Sequence, residues 1–131
     1  MTNRLQALVA VPDASVRNAL ANALETKGVE ALFASTLGEA RTILKREAVA
    51  VVFCQNRLED GGFEDVLPEN ARLTPKIPIV VCSPSDDSGV YMDVMSRGAF
   101  DFIAFPYSRH EIEWVLSCAL RGTAARAAGA A

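Results

Sequence analysis

The chain is poor in the residues on which disulfide-rich, metal-bound and DNA-binding proteins depend. Among 131 residues there are three cysteines and one histidine, and 13 basic residues are outnumbered by 16 acidic ones. The odd cysteine count, at spacings untypical of metal ligands, indicates a reducing compartment rather than a disulfide framework. The net charge of −3, with no basic stripe, argues against nucleic acid as a partner, because phosphate contacts need clustered Lys and Arg.

Long hydrophobic runs are also missing. No apolar run approaches the roughly 18 residues that span a bilayer, so we expect no membrane partner. The first six residues are mostly polar and the apolar run that follows is short, which predicts a strand and no signal peptide. We therefore expect a cytoplasmic protein. The length and the 50% hydrophobic content are typical of one globular domain with its own core.

No glycine-rich phosphate loop is present. The turn after the first predicted strand reads VPDASV, which has none of the glycines of the dinucleotide motif G-x-G-x-x-G, and the nucleotide motif G-x-x-x-x-G-K-[ST] is missing too. No nucleophile–base pair or metal cluster stands at the predicted strand ends. We therefore expect a protein that is not an enzyme and that has no cofactor and no metal.

Strand-like runs alternate with helix-like runs along the whole chain. The predicted strands are Leu5–Val11, Val29–Ser35, Ala48–Cys54, Ile77–Cys82 and Ala99–Ala104, and the predicted helices are Ala14–Lys27, Thr36–Lys45, Phe63–Leu67, Asp87–Arg97 and Ser108 to about Arg121. This alternation predicts a doubly wound α/β fold, a parallel sheet with helices on both faces. Residues 1–121 form the predicted domain, and the small, featureless residues 122–131 are predicted to be a flexible tail or the start of a linker.

Helix boundaries have their own signals. Gly28 and Gly98 are placed to end two helices, and two capping-box spacings, Thr36-Leu-Gly-Glu39 and Ser108-Arg-His-Glu111, predict two helix starts. In doubly wound folds ligands bind at the carboxyl ends of the strands. Function is therefore to be sought at four strand ends: Val11–Asp13, Cys54–Arg57, Ser83–Ser85 and Phe105–Tyr107.

Four segments, in the right order and spacing, resemble the receiver domain of bacterial response regulators. They are Asp13-Ala-Ser-Val-Arg17, Asn56-Arg-Leu-Glu-Asp-Gly61, Pro78-Ile-Val-Val-Cys-Ser83, and Arg97-Gly-Ala-Phe-Asp-Phe102 followed by Phe105-Pro106-Tyr107. The resemblance covers about residues 4–121. It implies a flavodoxin- or CheY-like sheet of five parallel strands in the order 2-1-3-4-5, flanked by five helices. It also implies a role in two-component (phosphorelay) signal transduction.

The residues that carry the chemistry of a receiver are nearly all replaced. By the resemblance, the acidic pair falls on Val11 and Pro12, the phosphoacceptor on Gln55 and the lysine on Phe105, and only the switch hydroxyl, Ser83, matches. A neutral amide is not a useful nucleophile for phosphate, and aliphatic side chains offer Mg²⁺ no ligand. The sequence thus predicts a pseudo-receiver without a phosphorylation site, acting through protein–protein interaction.

Two other functions stay open. The chain is a working receiver with an unusual site if Asp13, Glu59 or Asp60 takes over the missing acidic roles. It is a small-molecule sensor if the vacated pocket binds a ligand. The walls of that pocket are predicted to be Val11, Pro12, Gln55, Ser83 and Phe105. We favour a simpler role for the Ser83 hydroxyl, which is to satisfy backbone groups at a strand end.

The fourth predicted helix is more apolar than one buried face requires. Receivers commonly use the surface of the fourth helix, fifth strand and fifth helix for dimers and targets, so the resemblance implies an interface there. The candidate interface residues are Val90, Tyr91, Val94, Arg97, Asp101, Tyr107 and Arg109. The expected partners are a kinase or an output domain, a second copy of the chain, or both. The alternative is deeper burial of these apolar residues beneath neighbouring loops.

Two cysteines are predicted to end neighbouring strands. A redox pair or a metal site at Cys54 and Cys82 is conceivable on that placement, but we favour two buried thiols that pack as small hydrophobic side chains. His110, alone in the first turn of the last helix, is predicted to lie on the surface.

Overall fold

The computed structural model describes residues 5–66, 77–83, 88–104 and 108–129. Five parallel strands form its main sheet. They are β1 (Gln6–Ala10), β2 (Glu30–Phe33), β3 (Val49–Gln55), β4 (Ile79–Ser83) and β5 (Asp101–Ala104). Their spatial order is β2-β1-β3-β4-β5, which confirms the predicted order and makes β2 and β5 the two edges of the sheet.

The described residues form four α-helices and one 3₁₀-helix. The α-helices are α1 (Ala14–Thr26), α2 (Leu37–Arg46), α3 (Ser88–Ser96) and α4 (Arg109–Gly129). The 3₁₀-helix, Phe63–Val66, stands where the third of five helices was predicted. None of the helices among these residues is both long and apolar enough to cross a bilayer.

The last helix is longer than its sequence pattern indicates. Its predicted end at about Arg121 is wrong, because the helical backbone continues to Gly129. The added stretch, GTAARAAG, is half alanine, and alanine is the strongest helix former, so a lack of large apolar residues does not mark the end of a helix. That a linker begins in residues 122–131 stays a prediction.

Two hydrophobic clusters cover the two faces of the sheet. Successive side chains of a strand point to opposite faces, so Val9 and Phe53 pack on one side while Leu8 and Cys54 pack on the other. The first cluster joins the sheet to α1 and α4, and the second joins it to α2, α3 and the 3₁₀-helix. β3 is buried from Val49 through Cys54, as the uninterrupted apolar run predicts.

Side chains and glycines set the helix ends as predicted. The Thr36 Oγ1 atom accepts the N–H of Glu39 at 3.2 Å, and Glu39 returns a bond to the Ser35 N–H at 2.8 Å. Ser108 caps α4 in the same manner, accepting the Glu111 N–H at 3.0 Å. Gly28 and Gly98 follow α1 and α3 with φ of 72° and 104°, a region that side chains other than glycine rarely adopt.

Candidate functional site

Gln55 lies at the carboxyl end of the central strand, where receivers hold their phosphoacceptor. It is the last residue of β3, with β1 and β4 on either side. Its Nε2 atom donates to the carbonyl oxygen of Arg57 at 3.1 Å, whereas its Oε1 atom is buried and finds no hydrogen-bond partner among the described residues. Buried carbonyl oxygens without a donor are uncommon in folded proteins. The site therefore presents one neutral acceptor.

The two positions of the acidic pair carry no polar side chain. Val11 is fully buried in the cluster beneath α1 and α4, and Pro12 is exposed at the turn into α1. Mg²⁺ is normally held by one or two carboxylates together with water. An isopropyl group, a pyrrolidine ring and the Gln55 amide do not supply that set, so these residues do not fit the Mg²⁺ that the resemblance implies.

The three acids that could replace the missing pair lie elsewhere or are engaged. Asp13 caps α1, and its Oδ1 atom accepts the Val16 N–H at 3.1 Å. Asp60 caps α2 from outside that helix, accepting the Leu37 N–H at 2.8 Å and the Gly38 N–H at 3.1 Å. Glu59 is exposed. Across the described residues, no group of three or more His, Cys, Asp and Glu side chains could hold a metal ion.

The charge of Asp60 is stabilised where it caps α2. The backbone N–H of Leu37 lowers the pKa of the Asp60 carboxyl below its ordinary value, with further contributions from the Gly38 N–H and the Arg41 charge. A carboxylate that accepts backbone N–H groups at a helix start favours the ionised form, because that end of the helix dipole is positive. Asp60 is therefore a helix cap, a role that the sequence analysis missed.

The segment after Gln55 is a small hairpin rather than an irregular loop. Arg57–Leu58 pairs antiparallel with Gly61–Gly62 across the two-residue turn Glu59–Asp60. Neither turn residue has a positive φ, so the turn is not the Asp-Gly or Asn-Gly type that marks a hairpin in a sequence.

Side chains tie this segment to the helices on either side. Arg41 of α2 donates to the Asp65 carbonyl at 3.1 Å, and Arg97, just after α3, forms an ion pair with Glu64 at 3.3 Å. Together with the Asp60 cap, these contacts hold the Gln55 side of the site against both α2 and α3.

Ser83 is the remaining receiver-like position among the described residues. It ends β4, next to β3, and is 5% exposed. The predicted lysine position, Phe105, lies outside the described residues, as does Tyr107. The structure thus places Val11, Gln55 and Ser83 at the carboxyl ends of the three central strands.

The two strand thiols are buried on opposite faces of the sheet. In the register of β3 and β4, Cys54 is level with Val81 and Gln55 with Cys82, and the two sulfurs belong to different core clusters. Both are free cysteines. Burial, helped by the charge of Glu64, raises the pKa of the Cys54 thiol to about 12, and burial raises the pKa of Cys82 well above its ordinary value. They pack as small hydrophobic side chains, as predicted.

Some of the predicted interface residues are exposed and others are buried. Tyr91 is exposed and makes an edge-to-face contact with Phe102 of β5, with ring centroids 5.9 Å apart, and Val90 is half-buried. Val94 is fully buried in the core, so its prediction as an interface residue is wrong. Apolar residues on every side of α3 leave no periodicity that identifies its buried face.

The charged candidates make local contacts. Arg97 pairs with Asp93 at 3.2 Å as well as with Glu64, and Asp101 accepts the Phe102 N–H at 2.8 Å. Arg109 donates a hydrogen bond to Thr26 of α1 at 3.0 Å and forms an ion pair with Glu113 at 3.4 Å. Its side chain therefore points towards α1. His110 is exposed, as predicted. Three further large apolar side chains are exposed although they were not among the candidate interface residues: Met92 of α3, Phe100 directly before β5, and Trp114 of α4.

Comparisons with known proteins agree with this architecture. The family model described as response regulator receiver domain matches residues 8–116. The response regulator protein PilR of Pseudomonas aeruginosa is 24% identical over 119 residues, which are 91% of this chain and 27% of PilR. The crystal structure of NtrX from Brucella abortus superposes with a TM-score of 0.82 at 23% identity, over 98% of this chain and 29% of that one. The chemotaxis response regulator CheY4 of Vibrio cholerae gives a TM-score of 0.76 at 13% identity, over 89% and 99%. The chain thus spans less than a third of PilR and NtrX.

Proposed function

The chain belongs to the response regulator receiver domain family, and from that premise we propose that it signals without being phosphorylated, by binding other proteins of a bacterial two-component pathway in the cytoplasm. It is a receiver domain of the two-component response regulators. In this proposal, the binding of partner proteins does not require phosphoryl transfer.

The side chain at the end of β3 carries the proposal. Receivers use an aspartate nucleophile at this position, whereas the Gln55 amide is neutral and its nitrogen donates to Arg57. Phosphoryl transfer depends on positioning and on neutralising charge. Two of the acids that could replace that aspartate, Asp13 and Asp60, accept backbone N–H groups at the starts of α1 and α2. A phosphoryl group therefore lacks both an acceptor and a cation to accompany it.

The binding surface that we propose lies at the β5 edge of the sheet. Both α3 and α4 pack against β5, and four large apolar side chains around it are exposed by 42% to 70%. We call these four residues the β5 face: Tyr91, Met92, Phe100 and Trp114. Two of them are on α3, Phe100 directly precedes β5, and Trp114 is on α4. Exposed aromatic residues and Met are enriched at protein interfaces. The partners proposed for the β5 face are a kinase or an output domain, and a second copy of the chain.

Intact-mass measurement tests the phosphorylation-independent role. The protein is incubated with Mg²⁺ and phosphoramidate and then measured under denaturing conditions. We expect an unchanged mass, because Gln55 has no nucleophilic oxygen. A stable addition of about 80 Da, the size of one phosphoryl group, would overturn the proposal.

A variant with the acids restored serves as the positive control. Val11→Asp, Pro12→Asp and Gln55→Asp together return the three carboxylates to the receiver positions, and we expect this variant to gain mass where the wild type does not. Val11 is fully buried, so a carboxylate there costs stability, and the fold of the variant is checked by circular dichroism. The double variant Pro12→Asp with Gln55→Asp avoids that buried position.

A small-molecule sensor is the second candidate function, and the Oε1 atom of Gln55 favours it. This buried acceptor has no hydrogen-bond partner among the described residues, and a donor on a bound molecule would satisfy it. The same samples, sprayed from native buffer, separate the two functions. A non-covalent adduct that disappears on denaturation and is weakened by Gln55→Leu supports the sensor, whereas a bare native mass counts against it.

A further inference from the structure

The backbone of β2 is open on the side away from β1. The N–H groups of Glu30 and Ala34 donate to β1, to the carbonyls of Leu5 and Val9, at 2.8 and 3.0 Å. Alternate residues of a strand direct their N–H and C=O groups to opposite sides. Ala31 and Phe33 therefore direct both groups to the open edge, and nothing pairs with that edge among the described residues. Two donors and two acceptors in strand register are available to a second chain.

An apolar groove runs along the same edge. It has a volume of about 300 Å³ and is lined by Ala21 and Glu25 of α1 and by Val29, Glu30, Ala31 and Phe33 around β2. Phe33 is 50% exposed, although large aromatic side chains are usually well buried. The two residues that present the open backbone, Ala31 and Phe33, are also groove residues. Backbone and side-chain recognition sites thus coincide.

The charged residues around the groove indicate which kind of molecule binds there. Among the described residues that line it, the charged ones are Glu25 and Glu30, both acidic and both exposed. A second copy paired through β2 would bring two acidic grooves together, and like charges opposed across a strand pair are destabilising. The side chains of an added strand alternate between the two faces of the sheet. Glu30 lies on the face opposite the groove, where its Oε1 atom accepts the Gln6 Nε2 at 2.8 Å. A segment whose apolar side chains enter the groove therefore places its basic side chains beside Glu30.

We propose that the β2 edge binds an extended peptide segment of a partner protein, which adds as a sixth strand, places apolar side chains in the groove, and carries Lys or Arg on the opposite face beside Glu30. Strand addition of this kind takes affinity from main-chain hydrogen bonds and specificity from pockets for alternate side chains. The site lies at the opposite edge of the sheet from the β5 face. The proposal does not depend on whether the chain is phosphorylated.

Titration with a designed peptide tests the site. The probe is the capped pentapeptide Lys-Ile-Lys-Ile-Lys, added to ¹⁵N-labelled protein at low salt. We expect the largest amide shifts at Ala31 and Phe33, and slower hydrogen exchange of those two amides on binding. Three control peptides are expected to bind at least about tenfold more weakly. The peptide Glu-Ile-Glu-Ile-Glu removes the favourable charge, and Lys-Ser-Lys-Ser-Lys removes the apolar side chains that enter the groove. The third control is the probe with both isoleucine nitrogens methylated, which removes backbone hydrogen bonds.

Surface variants provide the matched comparison. Phe33→Lys removes the groove aromatic and adds a repelling charge, and we expect it to weaken probe binding at least about tenfold. Phe100→Lys makes the same change at an aromatic side chain of similar exposure near the other edge, and we expect it to leave binding unchanged. Both positions are half-exposed, so both variants should fold, and their unfolding midpoints are compared with the wild type.

Three results would overturn the proposal. One is the absence of shifts at Ala31 and Phe33 up to the solubility limit of the probe. Another is equal weakening by Phe33→Lys and Phe100→Lys, which would place the peptide elsewhere. The third is a dimer that dissociates in Phe33→Lys but not in Phe100→Lys, which would make a second copy the occupant of the edge.

Discussion

At the scale of single residues, burial determines the chemistry of the strand thiols. Cys54 and Cys82 have no exposed surface and lie on opposite faces of the sheet. The thiolate is the reactive form of cysteine, and a low-dielectric surrounding disfavours it. With the pKa of Cys54 raised to about 12, this thiol stays protonated at any physiological pH. Its proximity to Gln55 therefore adds no nucleophile to the site.

The raised thiol pKa predicts a loss of stability in alkali. The native state keeps the Cys54 proton where the unfolded chain, with a pKa near 9.0, loses it. The stabilisation is thus complete below about pH 9 and is lost as the pH rises towards about 12, by at most about 1.4 kcal/mol per pH unit. Urea unfolding at a series of alkaline pH values measures it. We expect a shallower decline in Cys54→Ala than in the wild type.

Cys118→Ala is the matched control, because Cys118 is only partly buried on α4. We expect its decline to follow the wild type. Parallel declines for the wild type and Cys54→Ala would contradict the raised pKa.

At the scale of elements, the strands were easier to predict than the contacts between them. Uninterrupted apolar runs such as the one in β3 specify buried strands from local sequence alone. The same runs put Gln55 and Ser83 at strand ends, where the structure has them. The Asp60 cap could not be read in this way, because it joins residues 23 positions apart. A pattern of neighbouring residues does not indicate a contact between distant positions.

The Asp60 cap predicts a pH-dependent link between the hairpin and α2. We expect Asp60→Asn to lower the thermal midpoint at neutral pH and to speed hydrogen exchange of the Leu37 and Gly38 amides, since a charged acceptor suits the helix start better than a neutral one. The folded pKa lies below the ordinary value of 3.8, so the stabilisation is present above that pH and is lost as the pH falls through the folded pKa. The difference between the two proteins should therefore vanish in acid.

The neighbouring Glu59 is the matched control. It is exposed and carries the same charge, so Glu59→Gln should leave both amides and the thermal midpoint unchanged. If Glu59→Gln and Asp60→Asn had equal effects, the cause would be loss of general negative charge rather than loss of the cap.

At the scale of the whole molecule, most of the exposed large apolar side chains belong to two separate regions of the sheet. Among the described residues, Phe33 lies on the edge strand β2 and the β5 face surrounds the other edge strand, while Leu5 directly precedes the interior strand β1. The sheet between them is buried on both faces and does not contribute a surface. The two proposed binding surfaces are therefore separate, and a partner at one does not block the other.

The β5 face predicts self-association that one substitution removes. Met92 is 70% exposed, so Met92→Lys should leave the fold intact while placing a charge in the proposed interface. We expect sedimentation analysis to give a dimer dissociation constant at least about tenfold higher in this variant than in the wild type, because desolvating a charge in an apolar contact is costly. Phe33→Lys should dimerise like the wild type. A wild type that stays monomeric at every concentration would contradict the homodimer and leave the β5 face to a kinase or an output domain. A dimer lost only in Phe33→Lys would instead assign self-association to the β2 edge, against the repulsion that Glu25 and Glu30 would produce there.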